Sequence, residues 1–283
     1  MAVSSTLLGR TLARGSGALG LGLVAIHILL ALFAPLLVPY DPLTIDGAMM
    51  FDPPGAAHWL GTDELGRDIL TRTLLGGRQA MLVTAVATPV AVAWGGLLGI
   101  WLGLAGGRID AVLMRLVDAV LSLPWILKML LIIVTFGAAA QVLTVTLAFF
   151  YGVPVIRVAR AAAHGVVARD FIAAARARGH GTGAIVLREV LPNVRDALMV
   201  EGAMRWSWML LAFSSLSFLG FGVAPPTPDW GLMIADSRNS MAIAPWSALA
   251  PILALSTLIT GINLAADALA KAAGLDRAQN VVH

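Results

Sequence analysis

The chain has 283 residues, 59% of them hydrophobic and 12% charged, which leaves too little polar surface to cover a water-soluble globule. Its net charge of +3 rests on basic residues that lie between hydrophobic stretches, which argues for a basic membrane face and against nucleic-acid binding. No cysteine is present, so disulfides and thiolate metal sites are excluded.

Five stretches are apolar over ~20 or more residues, the length a helix needs to cross the hydrocarbon core. They run from Gly15 to Tyr40, Gln79 to Gly107, Ala111 to Ile156, Ala197 to Phe221 and Asn239 to Ala266. The third is long enough for two helices and is interrupted by small and polar residues at Thr135 to Gln141. The fold class expected is therefore all-α, a polytopic bundle of about six helices embedded in lipid. Residues 1–14 form a short leading segment, and Arg10 and Arg14 precede the first stretch as in a signal peptide. That stretch exceeds the ~7 to 15 residues of a cleavable apolar core, so 15–40 reads as a retained first helix.

Placing the amino terminus in the cytoplasm puts Arg10, Arg14, Arg108, the basic run from Arg157 to Arg195, Lys271 and Arg277 on one side. This obeys the positive-inside rule, and an even number of spans returns the tail 271–283 to the same side. The segments 41–78 and 222–245 then face outward.

In the first outer segment, turn formers such as Asp52-Pro53-Pro54-Gly55 give way to Gly61-Thr62-Asp63-Glu64-Leu65-Gly66-Arg67-Asp68. Thr62 reads as a helix N-cap with Asp63 and Glu64 at the positive end of the dipole. Leu65, Ile69, Leu70 and Leu74 would share one side of an amphipathic helix. Two readings stay open, a structural cap leading into the next span and a docking surface for an extracytoplasmic partner.

Charge inside a span is costly and marks function by default. Asp118 and Lys128 fall in the third span, and Lys128, following Ser122-Leu123-Pro124-Trp125, is the deeper of the two. Lys128, Trp125 and Asp118 are the candidates for lining a translocation path. Glu201 and Arg205 stand one helical turn apart, expected as a local ion pair near the cytoplasmic end. His27 in the first span reads as an interhelix-bonded residue.

The largest cytoplasmic segment, 157–195, carries the most detail. Asp170-Phe171-Ile172 leads into Ala173-Ala174-Ala175-Arg176 on a short helix, Gly179 follows, and Leu191-Pro192 comes about one short helix later. Small residues allow close approach by another protein, glycine reverses the chain, and proline opens the next helix.

Here the sequence resembles the membrane subunits of bacterial ATP-binding-cassette importers, whose cytoplasmic loop carries the EAA motif. Ala174, Ala175, Gly179, Leu191 and Pro192 match it in spacing, while its leading glutamate is Ala173 here. The resemblance implies a type I importer bundle over 79–270, with this loop docking in a groove of an ATPase subunit. His58 to Asp68, the run from Leu216 to Gly222, Pro225 to Gly231, and Ala244-Pro245-Trp246 narrow the likeness to the C-type permease of the dipeptide, oligopeptide and nickel branch. It extends from Phe33 to Arg277. Phe213 departs from a glutamate found in many relatives.

The resemblance also implies the partners: a second, homologous permease, two cytoplasmic ATPases that bind ATP and Mg, and an extracytoplasmic solute-binding protein. Short peptides, glutathione-like compounds and nickel complexes all fit as solutes, and the lack of a histidine or cysteine cluster favours peptides. The chain itself is expected to bind no cofactor or metal and to be no ATPase. Its two lysines, Lys128 and Lys271, do not follow glycine, so it has no phosphate loop. His27, His58, His164, His180 and His283 are dispersed, and no zinc-enzyme motif appears. The rival reading, an ion-coupled secondary transporter, would be expected to show repeats and midplane carboxylates.

Overall fold

The computed structural model describes residues 6–223 and 226–275. Pro225 of the second outer motif, Arg277, His283 and the tail beyond residue 275 lie outside them. A short helix α1 (Leu7–Leu12) precedes α2 (Gly15–Leu37), and a loop with one 3-10 turn at Gly47–Met49 leads to α3 (Ile69–Ala105). Next come α4 (Gly107–Ser122), α5 (Trp125–Phe136) and α6 (Ala140–Val167). The short α7 (Asp170–Ala177) is followed by α8 (Thr182–Ala184), which passes through a π-helical stretch, Ile185–Val190, into α9 (Leu191–Phe218). Helices α10 (Trp230–Ser237) and α11 (Pro245–Ala273) complete the described chain, and no strand occurs among the described residues.

Helices α2, α3, α6 and α11 are each long and apolar enough to cross a membrane. Helices α4 and α5 together make a fifth such unit, bent by 84°. Helix α9 has the length, 28 residues, but Arg195, Asp196, Glu201 and Arg205 make it less apolar. It nevertheless runs antiparallel to α3: Leu198 lies beside Gly96 and Gly202 beside Val92, while the Trp206 indole donates to Thr84 Oγ1 at 3.0 Å. Four helices, or five spans with the bent pair, are thus apolar enough to cross, with α9 packed among them, and the all-α polytopic fold is the one expected.

Small residues let the helices close on one another. Gly95, Gly99 and Gly103 on α3 face Gly152, Ile156 with Ala159, and Ala163 on α6, with α6 running in the same direction. A Cβ at Gly103 would stand 2.8 Å from that of Ala163, so any larger residue would force the pair apart. Gly20 on α2 abuts Gly261 and Ala265 on α11 in the same way. His27 ties these two helices, with Nδ1 at 2.9 Å from the Leu23 carbonyl and Nε2 at 3.0 Å from that of Ala254. It is the interhelix-bonded residue expected.

Three expectations need correction. The third apolar stretch breaks twice: at Gly137–Ala139 as anticipated, and also at Leu123-Pro124, where proline disfavours a helical residue before it. Asp118 and Lys128 therefore lie on different helices. The segment 157–195 is not one loop, because α6 continues to Val167. Arg157 and Arg160 remain on it, paired with Asp118 and Asp110 of α4. Finally, Pro192 stands in the first turn of α9 as expected, but α9 follows directly on the π-helical stretch and not on a loop. Proline has no N–H to donate to the carbonyl of the preceding turn and its ring crowds that carbonyl, and the π-helical stretch just before it widens the ladder at that point.

Candidate functional site

Two ends of the bundle carry the residues singled out by sequence. At one end, Asp170 opens α7, and the helix turns Ala173, Ala174 and Arg176 outward while Ile172 and Ala175 are fully buried. These two join a core with Ile100 of α3, Val155, Ala159 and Ala163 of α6, Ile185 and Val190 of the π-helical stretch, and Val194 and Leu198 of α9. The short exposed helix rests on the π-helical stretch, and both belong to an apolar core shared with α3, α6 and α9.

The glycine after α7 has a defined job. Gly179 sits at φ +79° with open space around it. The His180 N–H donates to the Ala175 carbonyl at 3.1 Å and the Gly179 N–H to Arg176 at 2.9 Å, a Schellman closure that requires a left-handed residue. Leu191 is half-buried and Pro192 exposed on the first turn of α9. The described N-terminal helix and the end of α11 lie at this same end, where an Arg14 guanidinium N–H donates to the Lys271 carbonyl at 3.4 Å.

The opposite end gathers both outer motifs. Helix α3 starts at Ile69, not near Thr62, because Asp68 is the cap: its Oδ2 accepts from the Thr71 N–H at 2.7 Å while Oδ1 meets His58 Nδ1 at 2.9 Å. Thr62 instead pins the loop, accepting from the Asp52 N–H at 2.8 Å and donating to the Met49 carbonyl. Residues 61–68 form a compact turn in which Asp63 accepts from the Leu65 and Arg67 N–H groups and from Arg67 Nε at 2.7 Å. Gly66 closes it at φ +74°, where a Cβ would strike the Asp46 carbonyl. The amphipathic surface helix expected over this stretch is absent, and the turn feeds directly into a span.

Arg72, 3% exposed, lies 3.5 Å from Asp63 Oδ2. Asp236 of α10 and Glu64 face the same cluster. Burial raises both carboxyls, Glu64 further through Asp236 and Asp63. The second motif locks on beside it: the Trp230 indole lies over Gly76 and Gly77 and donates to the Thr73 carbonyl at 2.8 Å. Asp229 caps α10 through the Leu232 N–H at 3.1 Å, and burial pushes its carboxyl up to about 6. Gly61 packs against Trp246, so the two outer motifs form one unit. Sequence reading did not anticipate Arg72 or Asp236 as members of it.

Between the ends, Lys128, Trp125, Phe150, Tyr151, Arg205 and Trp208 line an open groove of about 400 Å³. Asp118 is not among its walls, since it pairs with Arg157 on an exposed face. Arg205 Nε is bonded to Glu201 Oε1, the ion pair expected. Glu201 lies within two turns of the exposed Arg195, in the half of α9 nearer the α7 end. Phe213 is fully buried among Met209, Leu210 and Leu216, a site made for an apolar ring. No cluster of histidine and acidic residues that would hold a metal occurs among the described residues.

Residues 95–274 match the family described as Binding-protein-dependent transport system inner membrane component. The chain is 34% identical over 251 residues to the Dipeptide transport system permease protein DppC of Alkalihalophilus pseudofirmus, covering 88% of this chain and 82% of the relative. It is 34% identical over 267 residues to the Di/tripeptide transport system permease protein DppC of Pseudomonas aeruginosa, covering 92% and 88%. With the Glutathione transport system permease protein GsiD of Pectobacterium atrosepticum it shares 33% identity over 247 residues, covering 87% and 82%. An ion-coupled transporter finds no support in these matches, and the chain belongs to the binding-protein-dependent transport system inner membrane components, the permease subunits of ATP-binding-cassette importers.

Proposed function

We propose that this chain is one of two homologous permeases that together pass short peptides across the bacterial cytoplasmic membrane. Two ATPase subunits bind ATP and Mg and engage α7, and a solute-binding protein docks at the end built from residues 61–68 and α10. Both termini then face the cytoplasm, as the arginine distribution requires. The solute class is supported by the printed functions of the dipeptide and di/tripeptide relatives. The chain carries no phosphate loop of its own, so the nucleotide acts through its partners.

The observation that carries this reading is the mounting of α7. Exposed Ala173 and Ala174 offer a low-relief face, while buried Ile172 and Ala175 seat that face on the π-helical stretch that runs into α9, within an apolar core shared with α3 and α6. A push on the short helix would pass through the π-helical stretch into α9 and the core behind it, a route for switching the bundle between two discrete arrangements. Replacement of the motif's glutamate by Ala173 removes a polar contact and leaves this mounting intact.

The test is Ala174→Trp, which adds bulk to the exposed face without altering the backbone. Mild-detergent purification should recover a phosphate-loop ATPase and a second permease with the unmodified chain. The variant should insert normally, lose the ATPase and fail in peptide uptake. A variant that keeps both the ATPase and uptake would overturn the assignment of α7.

A further inference from the structure

The groove at the α4–α5 bend contains a cation that the rest of the bundle does not neutralise. Lys128 stands in the first turn of α5, just past the 84° bend. Its Nζ donates to the Val120 carbonyl at 2.9 Å, closing the frayed end of α4. The ammonium lies 5.3 Å from the centre of the Phe150 ring. That carbonyl uses one N–H of an ammonium that has more to give, and no carboxylate pairs with Lys128 among the described residues. The other charged wall residue, Arg205, is already bound to Glu201. The groove therefore has a net positive charge.

Tyr151 and Pro154 lie partway along α6, and Arg205 and Trp208 partway along α9, so the groove is walled by two of the long helices. A lone ammonium kept between spans is expensive unless an anion visits it. Trp125 and Trp208 are exposed, 41% and 55%, and with Phe150 and Tyr151 they give flat amphipathic walls around the charge. About 400 Å³ accommodates a solute of a few residues.

We propose that Lys128 receives the terminal carboxylate of the transported solute at mid-passage, with the aromatic walls holding its uncharged part. The inference rests on the reading of the chain as a peptide permease and adds to it a subsite within the membrane.

The complete transporter, reconstituted in vesicles with its binding protein and ATP, would be given trialanine and trialanine amide in parallel. The acid-to-amide ratio of initial uptake rates is compared between the unmodified complex and Lys128→Gln, which removes the charge and retains a polar side chain. The binding protein's own preference is common to both and cancels, and the ratio does not depend on how much complex inserts. Loss of one charge-assisted contact should lower the ratio about tenfold in Lys128→Gln, and Lys128→Arg should retain it. A ratio unchanged in Lys128→Gln, or near one in the unmodified complex, would overturn the subsite and leave the peptide reading standing. Failure of the unmodified complex to take up either probe would sink the peptide reading itself.

Discussion

The two ends of the bundle are built on opposite terms. At the α10 end, Asp63, Arg67, Arg72, Asp229 and Asp68 are buried or nearly so and hold one another and the local backbone in place. At the α7 end the polar residues Asp170, Arg176, Arg178 and His180 are exposed, and cohesion comes from an apolar patch under the helix. The first end is fixed by interlocking charge, so damage there should appear as lost protein. The second keeps its outer face free for a partner, so damage there should appear as lost coupling in protein that still folds.

The largest effect is expected where the first arrangement is broken outright. Asp63→Ala removes the partner of Arg67 and the carboxylate nearest to buried Arg72, leaving it only Asp236 and Glu64. Breaking such a pair costs about 3–5 kcal/mol. Detergent-solubilised Asp63→Ala should melt well below the unmodified chain, or fail to accumulate; an unchanged melting temperature would mean that Asp236 and Glu64 suffice for Arg72.

A smaller effect tests the same end through pH. Burial raises Asp229 from 3.8 to about 6, with the Leu232 and Gly231 N–H groups opposing it in part. The folded state thus binds this proton more tightly than the unfolded chain does. The linked contribution favours folding below the unfolded pKa and is lost as pH rises through about 6. The full swing is of the order of 3 kcal/mol. Asparagine caps a helix as well as aspartate, so Asp229→Asn should keep α10 and flatten this component. The difference in stability between variant and unmodified chain, measured at pH 4 and pH 8, should grow in the variant's favour at the higher pH. A constant difference would assign the pH response to other carboxyls.

How much of this was legible beforehand differs between the ends for a physical reason. The α7 end is local: Ala173 to Gly179 sets a short helix and its closure within one stretch, and spacing sufficed to find it. The α10 end is assembled from distant pieces. Thr62 and Asp68 are both good caps, and which one starts α3 depends on Asp52 and Met49 holding Thr62 in the loop. Arg157 and Arg160 read as loop residues because their partners, Asp118 and Asp110, lie far back along the chain. The period of Gly95, Gly99 and Gly103 was available as a signal for close helix packing, and Leu123-Pro124 as a signal for the bend. Both were hidden in apolar runs that satisfied the membrane-span criterion without them.

The smallest effect on stability should come from Gly179, and it separates the two ends most cleanly. At φ +79° a β-branched residue is strained by about 1–2 kcal/mol, and asparagine by less, because its short polar side chain tolerates the left-handed region. No neighbour lies within reach of a Cβ, so steric crowding inside the chain does not enter. Gly179→Val should therefore lower the melting temperature slightly while unseating the carboxyl end of α7, and peptide uptake should fall far more than stability. Gly179→Asn should recover most of the uptake if backbone conformation alone is at stake. Should Gly179→Asn instead insert normally and transport as poorly as Gly179→Val, the requirement at this position is the absence of a side chain, and the ATPase approaches the backbone itself.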